Sequence, residues 1–121
     1  MSEFEQIGKM FTQHYYNTFD TNRAALRDLY RDQSLMTFEG AQVQGANAIM
    51  EKFSQLTFKE VKHDVQTIDS QPSLTGGVLV MVSGQLKTDG DAPHRFCQMF
   101  HLVKEANNFW VSNDVFRLNY G

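Results

Sequence analysis

A single cysteine, Cys97, leaves this 121-residue chain unable to form an intrachain disulfide and points to a reducing compartment. No apolar run approaches the roughly 18 residues of a membrane helix, which excludes a helical span. The opening Met1-Ser2-Glu3-Phe4 has neither a basic segment nor an apolar stretch behind it, so no secretory signal is expected. Positive charge is short as well: 11 Lys and Arg against 14 Asp and Glu give a net charge of −3. Without a Lys/Arg stripe to neutralise phosphates, nucleic acid is not the expected partner. The four histidines lack metal-ligand spacing, and His94 and His101, seven apart, would fall on opposite faces of a continuous strand. There is no P-loop and no GxGxxG segment, so neither a metal nor another cofactor is expected.

What is present describes a globular chain: 41% apolar and 21% charged residues, with no repeats, low-complexity tracts or linker. One domain over residues 1–121 is expected, large enough to bury a core without staples. Phe4, Ile7, Phe11 and Tyr15 make one apolar stripe at helical spacing. Asp20-Thr21-Asn22 interrupts it with capping residues, and Ala24, Ala25, Leu26, Leu29 and Tyr30 predict a second, shorter helix. Leu35 to Phe38 reads as a short strand closed by Glu39-Gly40. Gly45 precedes a third helix whose buried face is Ala46, Ile49, Met50, Phe53 and Leu56.

From Lys59 to Ile68 the period becomes two, placing Lys59, Val61, His63, Val65 and Thr67 on one side. Pro72 to Gly77 is a turn region, and residues 78–119 form a three-stranded meander. In its second strand Phe96, Gln98, Phe100 and Leu102 alternate with Cys97, Met99, His101 and Val103. In its third, Trp110, Ser112, Asp114, Phe116 and Leu118 alternate with Val111, Asn113, Val115 and Arg117.

Helices followed by strands predict an α+β fold with the helices on one face of an antiparallel sheet. Such a sheet, if wet on one side, alternates apolar with polar residues. Val78-Leu79-Val80-Met81-Val82 does not, and Met99 and Val115 extend the apolar character to the second face. No helix is left to cover it. A second copy packed back to back in a two-fold dimer is therefore expected, since soluble monomers seldom expose an apolar patch of that size.

A bent sheet clasped by three helices leaves a pocket at its open end, and ten Phe, four Tyr and one Trp supply bulky walls. Phe38 and Glu39 end a strand where the mouth of such a pocket would lie. In the first turn of the meander, Asp89-Gly90-Asp91 sets two carboxylates about 7 Å apart if the chain is extended. Like charges that close favour a cation between them. Two readings stand: a solvated acidic tip, or an acidic claw for Lys or Arg of a partner.

Several blocks resemble the nuclear transport factor 2 family. They are Gln13-His14-Tyr15-Tyr16-Asn17-Thr18-Phe19-Asp20, Thr37-Phe38-Glu39-Gly40, Gly84-Gln85-Leu86-Lys87, Gln98-Met99-Phe100 and Asn113-Asp114-Val115-Phe116-Arg117-Leu118. The similarity runs nearly end to end. It implies a cone-shaped α+β fold, with three N-terminal helices on a strongly bent antiparallel sheet that encloses a hydrophobic cavity. It further implies a homodimer, no catalytic activity, and a life spent between cytoplasm, nuclear pore and nucleus. The implied cargo is the GDP form of the GTPase Ran, and the implied pore partners are FxFG-repeat nucleoporins.

By position, the resemblance makes Glu39, Asp89 and Asp91 partners of basic side chains on Ran. It makes Phe38, Leu56, Val61 and Phe116 the lining that receives an aromatic of Ran's switch II. Phe4 matches the aromatic that meets FxFG repeats, and Met81, Met99 and Val115 match dimer-interface positions. Phe at positions 4 and 38 is the fungal pattern, where animal members carry Trp. His94 and Arg95 follow the acidic turn and dilute its field.

The same fold also hosts small isomerases and dehydratases with a carboxylate or histidine base in the cavity. Here only His63, beside Val61, and Asp114, on the face read as shared with Trp110 and Phe116, fit that role. The bland expectation is a hydrogen-bonded wall residue for His63 and a pairing with Arg117 or a backbone donor for Asp114. A third reading, one domain of a larger adaptor, is disfavoured by a start at Met1 and an end just past the last strand.

Overall fold

The structure, a computed structural model, describes residues 2–57 and 59–119. The ends of the expected domain, Met1, Tyr120 and Gly121, lie outside the described residues. Glu5 reaches back to Ser2, its carboxylate accepting from the backbone N–H at 3.3 Å and from Oγ–H at 2.7 Å, and this opens α1 (Glu3–Thr21). The Ser2 side-chain bond, aided by the backbone one, holds the exposed Glu5 carboxyl below the usual range. Gly8 lets α1 lie close on the sheet, because a Cβ there would stand 2.0 Å from Ser70 Oγ.

A 3-10 helix (Arg23–Leu29) follows, then β1 (Tyr30–Phe38), β2 (Ala41–Gln44), α2 (Ala46–Ser54), β3 (Val61–Pro72), β4 (Val78–Thr88), β5 (His94–Glu105) and β6 (Asn108–Asn119). The six strands form one curled sheet in the order β2-β1-β6-β5-β4-β3. Its concave face carries the core: Val78, Val80 and Val82 from β4, and Phe96, Phe100 and Leu102 from β5, all buried. Tyr15 and Tyr16 of α1 and Ile49 and Phe53 of α2 cover them. Burying each such side chain contributes about 1.5–3 kcal/mol.

The α+β class and the bent sheet agree with the expectation from sequence, while five local readings need correction. The sheet is mixed, since β1 runs parallel to β6, with Phe38 beside Phe116. β1 begins at Tyr30 instead of Leu35, so Tyr30 leaves the second helix, which is 3-10 and not α. Leu56 lies beyond the third helix, which ends at Ser54, and Ala41–Gln44, unassigned from the sequence, is β2, joined to β1 by the two-residue turn Glu39-Gly40. Thr67 does not share the inward face of Val61, because a bulge after Val65 shifts the register and turns Ile68 inward. Trp110 likewise does not share the face of Asp114. A bulge at Ser112 breaks the alternation of β6, leaving Val111 and Asp114 both buried.

These bulges bend the sheet. Gly84 sits opposite the first, where a Cβ would lie 2.2 Å from the Asp64 carbonyl oxygen. On the convex face Met81, Met99 and Val115 align in one row across β4, β5 and β6. Met81 and Val115 are exposed there, beside exposed Leu79. Among the described residues no helix is long and apolar enough to cross a membrane.

Candidate functional site

The curl of the sheet and the two α-helices leave a cavity of about 260 Å³ at the open end. Phe38, Leu56, Val61 and Phe116, drawn from four segments far apart in sequence, all line it. Phe38 stacks on Phe116 at 4.9 Å between centroids and 12° between planes, because parallel pairing sets the two residues side by side. Phe96 continues the stack at 5.8 Å from Phe116. Tyr16, Phe19, Met36 and Gln98 complete the floor. Their part was hidden in the sequence, since each reads equally well as plain core.

Glu39 does not itself line the cavity but flanks its edge, following Phe38 and bonded to Phe116 and Leu118, all three of which line it. Its φ of +51° is left-handed, as is that of Gly40 at +88°, a turn that matches the twist of the hairpin. For Glu this conformation is unfavourable by about 1–2 kcal/mol. It is held by Glu39 N–H donating to the Phe116 carbonyl at 3.0 Å and by Leu118 N–H donating to Glu39 Oε1. One carboxylate oxygen is thus fixed in place, and Oε2 has no partner among the described residues.

The acidic turn is not extended. Asp89 at φ +48° and Gly90 at +82° form a tight turn closed by Asp91 N–H donating to the Thr88 carbonyl at 2.8 Å. The Asp89 carboxylate points back, accepting from the backbone N–H groups of Lys59 (3.0 Å) and Glu60 (2.8 Å). It therefore holds the segment entering β3, a task the sequence did not reveal, while Asp91 is exposed. Neither lines the cavity; the turn flanks it beyond Thr88, which does. Lys52, unremarked in the sequence, sets its Nζ 5.7 Å from the centre of the Phe38 ring and adds a cation at the rim.

His63 is a wall residue with a fixed ring. Its Nδ1 lies 2.6 Å from Asp20 Oδ1, and its backbone N–H donates to Asp20 Oδ2 at 2.9 Å. Asp114 is buried under the floor and does not pair with Arg117, which the register turns to the convex face. Its partners are Tyr30 OH, donating at 2.8 Å, and Gln98 Nε2–H, donating at 2.7 Å. Tyr16 OH donates to Gln98 Oε1 at 2.6 Å, and Tyr15 OH lies 2.9 Å from Tyr30 OH. Burial pushes the hydroxyls of Tyr15, Tyr16 and Tyr30 well above their ordinary titration range. Five residues from four elements are locked together, a network that orients the floor of the cavity.

Burial also raises the Asp114 carboxyl to about 6, against the opposing pull of its bonds to Gln98 and Tyr30. Folded Asp114 holds its proton more tightly than the unfolded chain does. The stability this lends is present at low pH and is lost as pH rises from about 4 to about 6, a cost of about 3 kcal/mol at neutrality. Asp114→Asn, which carries no charge, is expected to gain stability relative to wild type by up to that amount between pH 4 and 7. Urea unfolding of both proteins at the two pH values measures the difference; parallel pH profiles would contradict it.

Among the described residues no three metal-ligating side chains converge. The family model described as the nuclear transport factor 2 domain matches residues 7–118. The chain is 53% identical over 119 residues to nuclear transport factor 2 of Oryza sativa subsp. japonica, covering 97% of this chain and 98% of the relative. It is 48% identical to that of Schizosaccharomyces pombe, with 100% of both chains covered. The solved structure of nuclear transport factor 2 from Cryptosporidium parvum shares the fold at a TM-score of 0.93, with 46% identity over 97% of this chain and 95% of that one.

Proposed function

The chain belongs to the nuclear transport factor 2 family, and on that premise we propose that it carries the GDP-bound form of the GTPase Ran into the nucleus. Its role is nuclear transport, performed by binding and not by catalysis. The observation that carries this reading is the convergence of Phe38, Leu56, Val61 and Phe116 on one cavity, with Glu39 fixed beside it by the N–H of Leu118, another lining residue. An aromatic side chain of Ran's switch II enters the cavity, and cationic neighbours on Ran meet Glu39, Asp89 and Asp91.

Magnitudes show why both parts are needed. Burying one aromatic contributes about 1.5–3 kcal/mol, whereas micromolar affinity requires about 8 kcal/mol. The rim and its surrounding contacts must supply the rest. Breaking a partly desolvated charge pair at an interface costs about 2–5 kcal/mol. A GTPase switch changes shape with its nucleotide, so a cavity fitted to one conformation reads nucleotide state without chemistry. The test is retention of Ran on the immobilised protein. GDP-loaded Ran is expected to be held and GTP-loaded Ran to wash through; equal retention of both overturns the reading.

Two further parts belong to the proposal. The convex row of Met81, Met99 and Val115 is covered by a second copy in a two-fold dimer, which explains apolar groups at positions facing solvent. Phe4, half-buried at the start of α1, offers its ring to FxFG repeats of nucleoporins. Such repeats are disordered and lose entropy on binding, which favours the weak, fast contacts that passage through the pore requires. Shuttling of this kind places the protein in cytoplasm, nucleus and nuclear pore. Phe4→Ala is expected to weaken nucleoporin capture while leaving Ran binding and the dimer intact. Joint loss of all three in pull-downs and light scattering would show that Phe4 only anchors α1.

A further inference from the structure

The cavity wall includes a polar side chain, His63, that the carrier reading does not use. The His63 side chain is only 4% exposed, and its ring packs against Tyr16 (4.6 Å), Phe19 (5.2 Å) and Phe96 (5.4 Å). Asp20 accepts at Nδ1 and at the backbone N–H of the same residue, which fixes both ring orientation and tautomer. With the proton held on Nδ1, Nε2 of the neutral ring is a lone-pair acceptor. It has no partner among the described residues, yet it is not sealed off as Ser70 Oγ is, and the His63 ring lines the cavity. An acceptor so placed favours a guest that brings a donor, because a buried polar group left unmatched is costly.

Size and shape define the rest of the guest. An apolar cavity of about 150 Å³ takes benzene, whereas drug-sized ligands occupy about 300–1,000 Å³. At about 260 Å³ this cavity suits one substituted ring. The parallel faces of Phe38 and Phe116 form an aromatic wall for offset or edge contact with it. We propose that the cavity is also a binding site for small free phenols, the ring lying among Phe38, Phe116 and Leu56 and the hydroxyl donating to Nε2 of His63. The inference goes beyond the carrier reading and does not depend on it, since it concerns the protein alone.

The experiment titrates the protein, without Ran, with p-cresol, toluene and 4-methylanisole, following the cavity methyls of Met36 and Leu56 by NMR. p-Cresol is expected to bind about 3- to 10-fold more tightly than either comparator, the worth of one neutral hydrogen bond. The ether, which can accept but not donate, separates a lone-pair acceptor on His63 from a donor. His63→Phe, which keeps the aromatic packing, is expected to abolish the preference while still binding toluene. Equal affinities for the three probes on wild type, a preference for the ether, or no cavity shifts at millimolar probe would each overturn the proposal, whether or not the variant folds. Failure here leaves the capture of GDP-loaded Ran untouched, so the two ideas fail separately.

Discussion

Met99→Glu is expected to yield a folded monomer, with light scattering reporting the mass of one 13.9 kDa chain in place of two. Met99 lies between Met81 and Val115 in a row across the convex face, where its side chain points away from the core. Nothing inside the protomer depends on it, so the variant keeps its fold. In a two-fold contact each copy presents the same surface, and a single substitution therefore buries two charges. An uncompensated buried charge costs about 3–5 kcal/mol, which lowers dimer affinity by at least a hundredfold. Val115→Glu should act the same way from the neighbouring strand. Wild-type protein that is already monomeric at micromolar concentration would remove the dimer from the account.

Glu39→Lys is expected to lower affinity for GDP-loaded Ran by about 30- to 150-fold, the equivalent of about 2–3 kcal/mol. The substitution replaces attraction with repulsion at the edge of the cavity and adds to the cation already supplied by Lys52. It removes the acceptor for Leu118 N–H, which lies at the rim and not in the core. Folding and dimerisation should therefore survive, as circular dichroism and light scattering can establish. Asp91→Lys should act in the same direction but more mildly, because His94 and Arg95 already dilute the field nearby. Asp89→Lys is the poorer probe, since that carboxylate also holds Lys59 and Glu60 by their backbone N–H groups. Rim pairs near solvent are screened, so affinity should fall as salt rises. Unchanged Ran binding by both Glu39→Lys and Asp91→Lys in a folded dimer would reduce the acidic rim to a solvated surface.

Much of this architecture is legible in the residues. The stripe Phe4, Ile7, Phe11, Tyr15 defines α1, and Phe96 to Leu102 alternates as the structure does. The unbroken apolar run Val78 to Val82 marks a strand with apolar groups on both faces, as observed. What failed were the places where local pattern yields to tertiary pairing. One inserted residue at Ser112 moved Trp110 to the face opposite Asp114, and one after Val65 moved Thr67 outward. Alternation carries no mark of a bulge. β2 is a four-residue edge strand whose one partner in the sheet is β1, and the parallel β1–β6 contact joins segments some 80 positions apart.

The cavity was half legible. Four of its lining positions came from resemblance to a family and not from periodicity, which cannot tell a cavity wall from a core. The Asp114 network was invisible because Tyr15, Tyr16, Tyr30 and Gln98 meet it only after folding. The backbone role of Asp89 was hidden for the same reason. A turn aspartate looks alike in sequence whether it faces a partner or its own chain.

The central claim is that the cavity takes an aromatic from Ran in its GDP form. Methyl-labelled NMR of Met36 and Leu56, which line that cavity, tests it most directly. On addition of GDP-loaded Ran both methyls should move by ring-current shifts, and Glu39→Lys should suppress those shifts in parallel with affinity. GTP-loaded Ran should leave them in place. Binding of GDP-loaded Ran with Met36 and Leu56 unmoved would put the contact elsewhere on the molecule and contradict the account.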